Sequence, residues 1–188
     1  MTEIPAEVIA EIRLLPRPLI IGVSGFGGAG KSSFANALGQ AINAPMIGVD
    51  SFQKNRTDHD YSMWEIMDYG RLEQEVIQPF LSGESALKYG HFDWEANGIS
   101  LTKEVIANGV IIVEGVGLFR PEFNSYFGYK VWVDCPVEDA TARGKKRDRE
   151  KYQNPQDESW DGVWKRNDAE YFSSYKPKSI ANLVFNNC

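Results

Sequence analysis

The residues best equipped for chemistry begin at Gly25. Gly25-Phe26-Gly27-Gly28-Ala29-Gly30-Lys31-Ser32 fits G-x-x-x-x-G-K-[ST] and follows the apolar run Leu19 to Val23, the setting of a phosphate-binding loop. Glycines there let successive backbone N–H groups turn inward as a nest for anionic oxygens. A helix opening at the loop aims its positive end at the same oxygens. Lys31 would carry a mobile charge to the β- and γ-phosphates, and Ser32 a hydroxyl to Mg²⁺. The same glycines (Gly25, Gly27, Gly30) also satisfy G-x-G-x-x-G, with Asp50 twenty positions beyond Gly30, where a dinucleotide fold carries its ribose-binding acid. Lys31-Ser32 has a task in the first motif and none in the second, so the phosphate loop is the preferred reading and the dinucleotide site its rival.

Phosphoryl transfer needs a phosphate cradle, a metal, a base for the acceptor and cations for the transferring group. Asp50, at the end of a short strand, can take or orient a hydroxyl proton; the alternative is an acid capping the next turn. Glu114 ends the most apolar strand and suits Mg²⁺ held through its water shell; the alternative is a strand-end acid bonded to loop amides. Arg143, Lys145, Lys146, Arg147, Arg149 and Lys151 form a basic run relieved by Asp148 and Glu150. Such a run is usually a solvated helix face, but here it leads into a loop, and a lid would fold Arg147 and Arg149 over a triphosphate. Phe92, Asp93 and Trp94 read either as an acceptor pocket or as hairpin packing. His59 and His91 have no His or Cys companions at ligand spacing, so a zinc site has no support.

These residues need a scaffold. Ile4, Val8, Ile9 and Ile12 predict an amphipathic helix over residues 4–14, stopped by Pro16 and Pro18. Strands are predicted at 19–23, 45–49, 110–113, 131–133 and 183–185. Helices are predicted from the loop to about residue 42, over 71–81 with Gly83 beyond, over 136–149 and over 161–175. Residues 51–65 read as a loop over the site, and Asn97-Gly98 as a hairpin turn between 87–94 and 99–101, with a plain loop as the alternative. Strands alternating with helices imply a parallel sheet with ligands at its carboxyl edge, where Gly25, Asp50, Glu114 and Asp134 all follow strands.

The 188 residues suit one domain. A formal charge of −6 argues against general nucleic-acid binding. No apolar run approaches a membrane span, and the acid-containing N-terminus does not resemble a signal peptide. Cys135 and Cys188 make no disulfide framework, so a reducing, cytoplasmic setting is expected. Nothing in the sequence bears on oligomeric state.

Taken in order, Gly25 to Ser33, Asp50-Ser51-Phe52, Asp68 with Leu72, Phe92-Asp93-Trp94, Val113-Glu114-Gly115, Asp134 and Arg147-Asp148 resemble the uridine kinase-like enzymes, a group that includes phosphoribulokinase and type I pantothenate kinase. Trp164, Glu170, Pro177, Ala181 and Val184 are similar to that family's last helix and strand. The resemblance covers nearly the whole chain. It implies a P-loop NTPase-type three-layer α/β fold, with a hairpin insertion near 86–102 and a lid near 147–160. It also implies an ATP:hydroxyl phosphotransferase using ATP and Mg²⁺ on a small-molecule acceptor. In that reading Asp50 is the catalytic aspartate, Arg147 belongs to the lid, and Gly25 through Ser33 hold the nucleotide. The acceptor half departs from the family: Gln53 stands for a tyrosine, Ser62-Met63-Trp64-Glu65 for a stretch bearing a ribose-binding acid, Phe92 for a tyrosine, and the histidine shortly after it is missing. The resemblance therefore does not specify uridine. A nucleotide-binding regulator without catalysis, and a nucleoside monophosphate kinase, are the other readings; no Asn-Lys-x-Asp motif of a GTPase occurs.

Overall fold

A computed structural model describes residues 3–55 and 60–188; His59 lies outside them. The chain runs α1 (Ala6–Leu14), β1 (Leu19–Gly25), α2 (Lys31–Ile42), β2 (Met46–Gly48) and a 3-10 turn (Val49–Phe52). There follow α3 (Tyr69–Leu72), a π turn (Glu73–Ile77), α4 (Gln78–Leu81), β3 (Ala86–Asp93), β4 (Gly98–Ile106), β5 (Val110–Glu114) and β6 (Tyr129–Asp134). The last part holds α5 (Val137–Glu150), α6 (Asp157–Ser159), a second π turn (Trp160–Trp164), α7 (Lys165–Tyr175) and β7 (Leu183–Asn186).

β1 and β5 are continuous apolar runs because both faces of the sheet are covered, and every residue of each is buried. The five-stranded sheet has the order β2-β5-β1-β6-β7 and every pairing in it is parallel. Ile21, Val23, Ile112 and Val113 are fully buried at its centre, each contributing roughly 1.5–3 kcal/mol of burial. Alternation along β6 and β7 separates two helical layers. Val133 is level with Phe185, whose ring meets Phe34 of α2; Trp132 points the other way and meets Phe172 of α7. The chain is therefore a three-layer α/β fold, as its alternating pattern predicts. Consecutive strands leave β1 in opposite directions, which opens a crevice at the carboxyl ends of β1, β5 and β2.

The helix predicted over 71–81 is interrupted. Pro79 has no N–H to return to the preceding turn, and that turn widens to π between α3 and α4. Arg71 and Glu75 on this segment hold the β3–β4 hairpin: Arg71 Nη2 donates to the Gly90 carbonyl at 2.9 Å and Gly90 N–H donates to Glu75 at 2.9 Å. Cys135 and Cys188 are joined by a disulfide, with Cα atoms 5.4 Å apart, tying the end of β6 to the residues after β7. Disulfides persist in oxidising surroundings, so the cysteines no longer argue for a reducing compartment. Among the described residues no helix is long and apolar enough to cross a membrane.

Candidate active site

The glycine-rich loop joins β1 to α2 over the crevice. Gly28 and Gly30 adopt φ values of +81° and +95°, which residues with side chains rarely take. A Cβ on Gly28 would run into the Ala140 carbonyl of α5, and one on Gly30 into the Asn187 amide. Asn187 Nδ2 in turn donates to the Ala29 carbonyl at 2.7 Å, so the chain's C-terminal segment braces the loop from behind. Lys31 opens α2, is 8% exposed, and folds its ammonium onto the Phe26 carbonyl at 2.9 Å. Ser32 follows it on the helix and donates to Glu114 Oε1 at 3.1 Å.

A cavity of about 670 Å³ gathers these groups. Of the residues singled out from the sequence, its wall includes Gly27, Gly28, Lys31, Ser32, Asp50, Glu114, Arg147 and Trp94. Asp50 is exposed on the 3-10 turn after β2, and Glu114 is 7% exposed at the end of β5. Burial pushes the Glu114 carboxyl up to about 7; Lys31 and the Ser32 hydroxyl oppose the rise and Asp50 adds to it. Ser32 and Glu114 offer adjacent hard oxygens, with Asp50 on the same wall. That suits Mg²⁺, which is usually held by one or two carboxylates together with substrate phosphates and water. Among the described residues no group of three or more His, Cys, Asp or Glu forms an all-protein cage.

Other predicted residues stand elsewhere. Gly25, Ala29, Gly30 and Ser33 belong to the loop and the start of α2 without lining the cavity. Arg149 pairs with Asp157 and does not reach the wall. Phe92 is 1% exposed and packs edge-on to Trp94. Asp93 caps the hairpin turn: Oδ1 accepts from the N–H groups of Glu95 and Ala96, and Oδ2 from Ser100 at 2.6 Å. Those bonds, the Ser100 one first, hold its carboxyl below the usual carboxylate range. Only Trp94 of that triplet borders the cavity. His91 shares a hydrogen bond with Ser51 at 3.0 Å.

Several wall residues were given no role in the site from the sequence. Asp148, which there relieves a basic run and follows Arg147 in the resemblance, is 5% exposed and organises its side of the wall. Its Oδ1 accepts from Arg147 Nε and Nη2 at 3.0 and 2.8 Å, and its Oδ2 from Trp160 Nε1 at 2.7 Å. Trp160 lies over Gly27 and Gly144. Behind the wall Asp168, 3% exposed on α7, accepts from Gly27 N–H at 2.7 Å and from Trp64 Nε1 at 2.9 Å. Desolvation pushes its carboxyl up to about 6 against the pull of Lys31 and of both donors. Tyr61, Trp64, Tyr152 and Trp164 add aromatic surface, and Gln53, Asn154 and Gln156 neutral amides.

A parallel sheet whose first strand runs through a glycine nest into Lys31-Ser32, with acids at the ends of the neighbouring strands, defines an α/β protein of the P-loop class. No protein-family model matches the chain. It is similar to the uridine kinase of Schizosaccharomyces pombe, with 25% identity over 142 residues. That match covers 68% of this chain and 31% of the yeast protein, so the chain spans about a third of its curated relative. A structure from Silicibacter sp. TM1040, provisionally designated a fructose transport system kinase, superposes with a TM-score of 0.76 at 20% identity, covering 96% of this chain and 98% of the other. A provisionally designated uridine kinase from Bacillus stearothermophilus superposes with a TM-score of 0.67 at 20% identity, covering 95% of each chain. In sequence the chain is thus similar to a uridine kinase, and in fold to P-loop proteins of the uridine kinase-like kind.

Proposed function

We propose that this chain is an ATP-dependent phosphotransferase acting on a hydroxyl of a small molecule. One observation carries the reading: Lys31 and Ser32 of the phosphate loop share a single cavity with Asp50, Glu114 and Arg147. In this reading the acceptor oxygen bonds to the γ-phosphorus, the bond to the β–γ bridging oxygen breaks, and ADP leaves with its electron pair. The hydroxyl proton passes to Asp50. Lys31 leaves the Phe26 carbonyl for the terminal phosphates, and Arg147, held by Asp148, faces the charge that spreads over the transferring group. Ser32 and Glu114 would hold Mg²⁺, which neutralises phosphate charge. The name of the yeast relative supports an acceptor of this class.

A shared cavity favours catalysis over nucleotide storage, because a regulator needs the loop but not an exposed carboxylate in the same cavity. The test is ADP release from Mg·ATP over a panel of nucleosides, pantothenate, sugars and sugar alcohols. At least one acceptor should raise ADP release above the rate with water. Asp50→Asn should abolish that increment and leave ATP binding nearly intact. Binding of Mg·ATP with no responsive acceptor would favour the regulator, and NADH binding without ATP binding the dinucleotide rival.

A further inference from the structure

The acceptor-side wall is built on strained backbone. Met63 and Trp64 have φ values of 51° and 58°, the left-handed region that residues with side chains occupy only when their surroundings enforce it. The enforcement comes almost wholly from α7. Asn167 Oδ1 accepts Trp64 N–H at 2.6 Å, and Asn167 Nδ2 donates to the Tyr61 carbonyl at 2.9 Å. Arg120 donates to the Met63 carbonyl from the other side. The next residue on α7, Asp168, directs one carboxylate oxygen to the Trp64 indole N–H and the other to the backbone N–H of Gly27 in the phosphate loop. A single buried carboxylate thus spans the nucleotide half and the acceptor half of the cavity. Local propensity explains none of this, since either donor alone could be met by water or a neutral acceptor.

Resting on the phosphotransferase reading, we infer that Asp168 is a positioning residue that couples the two halves, so that nucleotide at the phosphate loop sets where the Trp64 wall stands. When phosphates draw the loop's amides inward, the Gly27 N–H shifts against Asp168 and the opposite oxygen carries the change to the indole. The coupling is reciprocal: whatever fixes Trp64 also biases the loop. Asp168 touches neither donor nor acceptor itself.

The test uses the ¹⁵N-labelled whole chain and Mg·ADP. The five tryptophans give five indole signals, and Trp64→Phe identifies the one from Trp64. In the unmodified protein Mg·ADP should shift the amides of Lys31 and Ser32 together with the Trp64 indole. In Asp168→Asn, whose amide must present a donor to one of the two N–H groups, the loop amides should still shift and the Trp64 response should be lost. An equal Trp64 response in Asp168→Asn, or none in the unmodified protein while the loop amides move, overturns the coupling. Mg·ADP that moves no loop amide overturns the phosphotransferase reading and the coupling with it. Should Asp168→Asn not fold, Trp64→Phe decides: with its second donor gone, the carboxylate should bind Gly27 more strongly and move that amide signal downfield, and an unmoved Gly27 amide overturns the relay.

Discussion

Asp168 also makes a quantitative claim about stability. Its carboxyl titrates at about 6 in the folded protein against 3.8 for the ordinary group, chiefly because burial disfavours the charge. A raised carboxyl binds its proton more tightly in the folded state, so its contribution is fully present below pH 4 and is lost as pH rises through 6. Each pH unit between those two values is worth about 1.4 kcal/mol, so the folded state should lose ~2 kcal/mol between pH 4.5 and 7 from this one group. Asp168→Asn cannot ionise, so its stability relative to the unmodified protein should rise by that amount over the same interval, whatever constant offset the altered hydrogen bonds impose. At a slope of roughly 2 kcal/mol per molar urea, the two unfolding midpoints should move by about 1 M relative to each other. The assay is urea unfolding followed by fluorescence at a series of pH values. A difference that stays constant from pH 4.5 to 7 would falsify the argument, because it would mean that Lys31, Gly27 and Trp64 fully offset the desolvation.

Three further outcomes follow from the site. Glu114→Gln removes a carboxyl raised to about 7 by burial, so at pH 8 the nucleotide-free protein should gain up to ~3 kcal/mol in urea unfolding, while its turnover and Mg²⁺ response fall; unchanged Mg²⁺ dependence would remove Glu114 from the metal site. Lys31→Met loses a charge-assisted contact worth roughly 1.5–3 kcal/mol and should weaken Mg·ATP binding about tenfold or more by calorimetry; undiminished affinity would place the triphosphate elsewhere. Gly28→Ala forces a side chain into the φ +81° conformation and against the Ala140 carbonyl, costing roughly 1–3 kcal/mol in backbone strain alone. It should lower Tm by at least several degrees at about 2–4 °C per kcal/mol; an unchanged melting curve would mean that the loop is not clamped on α5.

The phosphate loop is legible in the sequence because its pattern is local. Gly25 through Ser32 lie next to one another, so their spacing carries the nest, the charge and the hydroxyl together, and the apolar run before them marks a buried strand. Asp50 and Glu114 can be found as acids ending predicted strands, since a parallel sheet brings such ends to one edge. The expected acceptor pocket at Phe92-Asp93-Trp94 is not legible in the same way. Phe92-Asp93-Trp94 has the composition of a pocket, yet in the antiparallel hairpin Phe92 packs inward and Asp93 satisfies the turn's own N–H groups, a competition that residue types alone cannot decide. The helix expected over 71–81 keeps its extent and changes its internal geometry ahead of Pro79.

By itself the sequence determined the order of strands and helices, the phosphate loop and the two acids that end neighbouring strands, because each depends on near neighbours along the chain or on the edge where strands end. Only the tertiary structure decided what the remaining acids do. Asp148 and Asp168 lie on helices where solvation would be the default, and each is buried by the approach of a tryptophan twelve or more positions away. Desolvation and hydrogen bonding then turn two ordinary helix-surface residues into the supports of Arg147 and of Gly27. That conversion is a property of packing across elements, and no spacing rule along one chain encodes it.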